Sequence, residues 1–223
     1  MSLFVTGTDT GVGKTHNVVQ LLRLLRASGL RCAGMKPICC GDRSDAELLL
    51  AQSSEGLTID QINPVWLRTP AAPLTAAKIE NREISVPSLL LAFTALQAQV
   101  DLVLVEGVGG WSVPITAEYF MSDLAVALGL PVLVIAQNKL GCINHTLLTL
   151  EAVRNRGLKC VGVVLNELPG LADIATVTNA EVLAQLCGVP ILSGLSGDTT
   201  DLPPEWREVI LSSGGGQLSK EWT

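Results

Sequence analysis

The chain is poor in aromatic residues, in histidine and in clustered positive charge, and each shortage removes a class of protein. Only 4% of its 223 residues are aromatic while 48% are hydrophobic, so a core has to be assembled from Leu, Val, Ile and Ala. Such a core suits parallel strands buried on both faces. Two histidines, His16 and His145, are too few and too isolated in sequence for a metal cluster. The net charge is −6, and no cluster of Lys or Arg resembles a nucleic-acid footprint, which argues against nucleic acid as a partner. Long apolar runs are also missing. The most apolar windows are broken by Gln97, Gln99 and Asp101, or by Gln137 and Asn138, short of the roughly 20 residues a helix needs to cross a bilayer. A first strand that begins almost at Met1 leaves no room for a signal peptide, so the expectation is a cytoplasmic protein with no membrane partner. The six cysteines form no Cys-x-x-Cys pair and mostly flank apolar strand residues, as buried reduced thiols do. Cys39-Cys40 offers a soft-metal alternative, but it lacks a second ligand pair.

What is present is a phosphate-binding pattern at the start. Leu3-Phe4-Val5 reads as a strand, Gly7-Thr8-Asp9-Thr10-Gly11-Val12-Gly13-Lys14-Thr15 as a glycine-rich turn, and Val18, Leu21, Leu22 and Leu25 as the apolar stripe of a helix. Strand, glycine turn, Gly-Lys-Thr and helix together form a P-loop. Its glycines let backbone N–H groups converge on an anion at a helix N-terminus. Lys14 reaches the outer phosphates, and the Thr15 hydroxyl is a ligand for Mg²⁺. Thr8 stands where the usual pattern has its first glycine. The tail from Gly11 to Thr15 fits a variant P-loop shared by chromosome-partitioning ATPases and several amide- or ring-forming ligases. The partitioning branch carries a lysine two residues before Gly11, whereas this chain has Asp9.

At 223 residues the length suits one α/β domain, residues 1–223, with a flexible tail from about residue 212. After the first helix, Gly29 acts as a stop and Arg31 to Lys36 reads as a second strand. A lysine at that strand end points into the ligand crevice of an open α/β sheet; a solvated strand-end lysine is the alternative. Ser44 to Glu47 has the spacing of a capping box opening a helix. Asp45 then falls in the first turn, either as a dipole-stabilising carboxylate or as a metal ligand. Residues 63–75 carry three prolines and read as a loop over the sheet. Ser88 to Gln99 is helical and leads into Leu102-Val103-Leu104-Val105-Glu106, a buried strand that delivers a carboxylate to the nucleotide. Gly107, Gly109 and Gly110 follow, letting backbone approach phosphate. A strand from Pro131 to Ala136 precedes a turn and helix from Lys139 through Arg156. The N-terminus of that helix suits a carboxylate, and Asn144 is either its N-cap or a ligand contact. The strand Cys160 to Leu165 ends at Asn166, whose amide either pairs with a base or forms the turn. A helix closes at Glu181 to Cys187, and Pro190 to Leu192 reads as an edge strand. Beyond Ser193 the chain is rich in Gly, Ser, Asp and Pro.

Four segments taken together resemble the dethiobiotin synthase family: Gly7 to Thr15, Gly34-Met35-Lys36-Pro37, Val105-Glu106-Gly107-Val108-Gly109-Gly110-Trp111 and Lys139 to His145. The likeness covers about residues 2 to 166, in order and at the family's spacing. It implies an α/β fold, a parallel sheet flanked by helices on both faces in the three-layer P-loop arrangement. It also implies an ATP- and Mg²⁺-dependent ligase that closes a cyclic urea on 7,8-diaminopelargonate with CO₂ (from bicarbonate) in biotin synthesis. The family works as a homodimer with substrate near the interface. By this resemblance Lys14 and Lys36 bind the triphosphate and carry the catalytic charge, with Lys36 beside a carbamate. Thr15, Asp45 and Glu106 hold Mg²⁺. ATP lies along Gly11, Val12, Gly13, His16, Gly107, Val108 and Gly109, although His16 read alone only packs on its helix. Asn166 contacts the base. Cys40 lies near the substrate, and Gly141, Cys142, Ile143 and Asn144 of one subunit hold its distal carboxylate. Three departures stand out: Cys40 replaces a serine, Asp42-Arg43 is a shorter connection to Asp45, and Ala71-Ala72 replaces a polar pair. A partitioning-type switch is the main alternative, against which stand Asp9 and the polar tail. The synthetase half of a cobyrinate amidotransferase would need a glutaminase domain for which the chain has no room.

Overall fold

The computed structural model describes residues 2–167 and 174–213. The chain begins with β1 (Ser2–Gly7), the P-loop turn and α1 (Lys14–Ala27), followed by β2 (Cys32–Met35), β3 (Ile38–Cys40) and α2 (Ser44–Gln52). Next come α3 (Ile59–Ile62), β4 (Val65–Leu67), α4 (Pro73–Ile79) and α5 (Val86–Gln97). The second half holds β5 (Leu102–Glu106), α6 (Met121–Leu128), β6 (Val132–Gln137), α7 (Cys142–Asn155) and β7 (Cys160–Asn166). It ends with α8 (Ile174–Leu186), β8 (Ile191–Ser193) and α9 (Pro204–Ser213).

Six strands form one parallel sheet in the order β2-β5-β1-β6-β7-β8. Every residue of β1, β5 and β7 is buried, which requires cover on both faces and explains why these strands are nearly continuous Leu, Val and Ile. Strand β1 is the switch point. The chain leaves it for β2 on one side of the sheet, and β5 and β6 later take the places on either side of it. Ligands of open α/β sheets bind at the carboxyl ends of the strands beside such a point. The register brings the chemistry there. Val5 pairs with Glu106, and Met35 pairs with Val105, so Lys36 leaves β2 beside Glu106.

Several expectations are corrected. The segment 63–75 is not a simple loop: β4 pairs in parallel with β3 as a second small sheet, and Pro73 opens α4, where a missing N–H costs nothing. Ser44 is not an N-cap. It is the first residue of α2, and its N–H and Oγ–H both donate to Asp42 Oδ1, at 3.0 and 2.5 Å. The carboxylate two residues earlier is the stronger acceptor, and those bonds hold Asp42 below the ordinary carboxylate range. Asn144 is not the N-cap of α7 either; Gly141 is, at φ 90°. Past Ser193 the chain forms α9, which buries Trp206, Val209 and Ile210. Of the tail expected from about residue 212, Ser212 and Ser213 close α9, and the remainder lies outside the described residues.

Candidate nucleotide and catalytic site

The P-loop is held open by backbone geometry that only glycine adopts without strain. Gly11 and Gly13 sit at φ 74° and 95°, and a Cβ on Gly13 would lie 2.1 Å from Asn166 Nδ2. Lys14 folds back over the loop, its Nζ donating to the Asp9 carbonyl at 3.0 Å. Burial, reinforced by the neighbouring Lys36, pulls the Lys14 ammonium down to about 8, against the opposing pull of Glu106, Asp45 and Asp9.

Lys36 is not a solvated strand-end lysine, for it is 4% exposed. Its Nζ donates to Glu106 Oε1 at 2.5 Å and to Asp45 Oδ2 at 2.8 Å. Burial alone would lower this ammonium, but the two carboxylates outweigh it and the group is raised. Burial of Asp45 is likewise outweighed by Lys36, whose charge and hydrogen bond keep its carboxyl below the usual range. Thr15 Oγ1 donates to Glu106 Oε1 at 2.7 Å. The other Glu106 oxygen, Oε2, is fully buried and has no hydrogen-bond partner.

These groups face one cleft of about 400 Å³ whose walls include Thr10, Gly11, Gly13, Lys14, Thr15, His16, Lys36, Cys40, Asp45, Glu106, Val108 and Gly109. Three members of the expected nucleotide set do not line it: Val12, Gly107 and Asn166. Val12 turns its side chain into the core, and space beside Gly107 is filled by Met121 and Phe4. A second cleft of about 910 Å³ adjoins the first through Gly13 and His16 and is lined by Asn166 and the segment Ser193 to Gly197. His16 does more than pack on its helix: its Nε2 lies 2.7 Å from the Leu195 carbonyl oxygen. Gly141, Cys142, Ile143 and Asn144 open α7 and line neither cleft.

The oxygen donors fit a hard divalent cation. An unpartnered carboxylate oxygen of Glu106, the Asp45 carboxylate and the Thr15 hydroxyl are the types Mg²⁺ accepts, with phosphate oxygens completing the shell. Among the described residues no group of three or more His, Cys, Asp or Glu gathers to hold a metal, and Cys39-Cys40 gains no further ligand. Sequence reasoning missed Asn63, which is buried, donates to the Lys36 carbonyl at 2.8 Å and accepts from Arg43 Nε at 2.8 Å. It also missed Asn17, whose only sequence signal is an amide on the buried face of α1. Neither residue belongs to a motif, because each acts on backbone brought to it by the fold.

A parallel sheet with a P-loop after its central strand, and an acid on the neighbouring strand, defines the P-loop nucleoside-triphosphate-binding class. The AAA domain family matches residues 1–199. An ATP-dependent dethiobiotin synthetase BioD from Akkermansia muciniphila is 46% identical over 87% of this chain and 91% of its own length. Another from Bacillus licheniformis is 36% identical over 90% and 87%. The chain belongs to the dethiobiotin synthetase family. Among solved structures, the signal recognition particle receptor FtsY from Elizabethkingia anophelis in complex with GDP has a TM-score of 0.55 at 15% identity. The match covers 97% of this chain and 64% of that one, a likeness of fold alone.

Proposed function

We propose that this chain is an ATP- and Mg²⁺-dependent ligase that closes the ureido ring of dethiobiotin from 7,8-diaminopelargonate and CO₂. The observation that carries the reading is the convergence of Lys14, Lys36, Asp45 and Glu106 on one cleft at the strand switch point. Membership of a family whose named relatives are ATP-dependent dethiobiotin synthetases supports the reaction. The triphosphate lies along Gly11 to Thr15, with the base in the second cleft beside Asn166. Mg²⁺, held by Thr15, Asp45 and Glu106, supplies charge neutralisation to the phosphates when bound. One substrate amine adds CO₂ and loses a proton to give a carbamate beside Lys36. A carbamate oxygen attacks the γ-phosphorus and ADP departs. The second amine then attacks the carbonyl of the mixed anhydride, closing the ring and expelling phosphate. Lys14 and Lys36 contribute alignment and fixed positive charge, the main sources of rate in phosphoryl transfer. Cys40 lies close enough to border the substrate. Gly141 to Asn144, outside both clefts, would serve the site of a second subunit in a homodimer. We assign the work to a single domain in the cytoplasm.

The test is phosphate release from ATP in bicarbonate, with and without the diamine. Release that depends on 7,8-diaminopelargonate and yields dethiobiotin is expected. Turnover that ignores the diamine and responds only to DNA or lipid would replace this reading with a partitioning-type switch.

A further inference from the structure

One buried asparagine ties the two clefts together. Asn17 lies in the first turn of α1 and is 1% exposed. Its Nδ2 donates to the Gly13 carbonyl and to Asn166 Oδ1, both at 3.0 Å, and its Oδ1 accepts from Leu195 N at 2.9 Å. The phosphate loop, the end of β7 and the wall of the second cleft thus meet on a single side chain. Packing alone gives no reason for an amide here, since an apolar residue would fill the same face of α1; what the amide adds is an acceptor for the buried Leu195 N–H and a donor to Asn166.

The reason lies at Asn166. Its Nδ2 donates to the Val12 carbonyl at 3.1 Å and its Oδ1 accepts from Asn17. A primary amide has two N–H groups and room for two accepted bonds, so one donor and one acceptor remain on a side chain that lines the second cleft. Their order is fixed. Reversing the amide would set N–H against the Asn17 N–H and oxygen against the Val12 carbonyl. Backbone also closes on both ends of the amide: a Cβ on Gly13 would lie 2.1 Å from Nδ2, and one on Gly194 2.7 Å from Oδ1. A donor and an acceptor side by side match N7 and the N6 amino group of adenine, whereas guanine presents acceptors at both positions.

We propose that Asn17 is a positioning residue that sets the Asn166 amide before nucleotide arrives and thereby makes the enzyme select adenine over guanine nucleotides. This rests on the reading that the second cleft takes the base. The experiment compares kcat/KM for ATP and GTP in the diamine-dependent reaction of the unaltered enzyme, Asn17→Asp, Asn17→Ala and Asn166→Ala. The unaltered enzyme is expected to favour ATP by roughly tenfold or more, the discrimination of one bidentate amide–base pair. Asn17→Asp swaps the donor facing Asn166 for an acceptor at constant size, and should lose most of that preference through a higher KM for ATP rather than a lower kcat. An equal fall for both nucleotides, with the ratio kept, is what a merely structural role gives, and it overturns the inference. So does an unaltered enzyme that uses ATP and GTP alike. If Asn166→Ala keeps the ratio, the base is not read there and the assignment of the second cleft fails with it. A ratio lost in Asn166→Ala but kept in Asn17→Asp rejects only the role of Asn17. Should the Asn17 variants not fold, amide hydrogen exchange on the unaltered protein decides. The Asn166 side-chain amide, assigned by its loss in Asn166→Ala, should be protected without nucleotide, and exchange at the rate of a surface asparagine overturns the proposal.

Discussion

Glu106 is wholly buried and takes a hydroxyl and an ammonium on one oxygen while its other oxygen has no partner. A carboxylate so placed depends on Lys36. Replacing Lys36 by alanine therefore does more than remove a positive charge from the cleft, because it strands a buried anion. Breaking a buried pair from one side costs roughly 3–5 kcal/mol, and Lys36→Ala is expected to lose stability on that scale as well as ring closure. Adding Glu106→Gln should recover most of the stability and none of the activity. Urea unfolding of the two single variants and the double variant, alongside diamine-dependent phosphate release, checks both halves. A single variant that unfolds like the unaltered protein would mean the pair contributes little.

At the scale of elements, the first cleft is built from the carboxyl ends of β1, β2 and β5, while the second cleft depends on the chain after β8. That wall is anchored by α9, where Trp206 is 1% exposed and its Nε1 donates to the Ser193 carbonyl at 3.1 Å. Truncating a buried tryptophan costs about 3–5 kcal/mol. Trp206→Ala should show that loss in urea unfolding. It should also raise KM for ATP several-fold with a smaller change in kcat, since Lys14, Lys36 and Glu106 stand on other elements. A KM left unchanged would separate α9 from the nucleotide. The sequence past Ser193 concealed this helix because its apolar positions, Trp206, Val209 and Ile210, are few and sit among Pro, Glu and Ser. What they pack against lies far away in the chain.

Over the whole molecule, the aliphatic core encloses most of the thiols. Burial pushes Cys32 up to about 12 and Cys39 and Cys160 to about 11, from an ordinary value of 9.0. The folded chain keeps these protons after the unfolded chain has released them, so the associated stability is fully present below pH 9 and is lost as pH rises toward 11 to 12. Lys14 works the other way. Its folded value of about 8 lies below its ordinary 10.5, so stability rises with pH between those values, but one ammonium opposes several thiols. The urea midpoint is expected to fall between pH 8.5 and pH 11 (about the span of these titrations), and Cys32→Ala with Cys160→Ala should flatten that fall. An equal fall in the double variant would assign it to other groups.

The sequence by itself determined the P-loop, the buried acid strand ending at Glu106, the strands of the main sheet up to β7 with most of the helices between them, and the family. Those features are local: a glycine spacing, a run of aliphatic residues and a charged residue at its end are all written in consecutive positions. Tertiary structure alone decided that Lys36 is buried between Glu106 and Asp45 rather than solvated, and that Asp42 rather than Ser44 serves the start of α2. It also decided that residues 65–67 pair with residues 38–40, and that Asn17 reaches Gly13, Asn166 and Leu195 at once. Each of these depends on which strand ends the parallel register sets side by side, and on which polar groups burial leaves in need of a partner. Neither is encoded in the spacing of neighbouring residues.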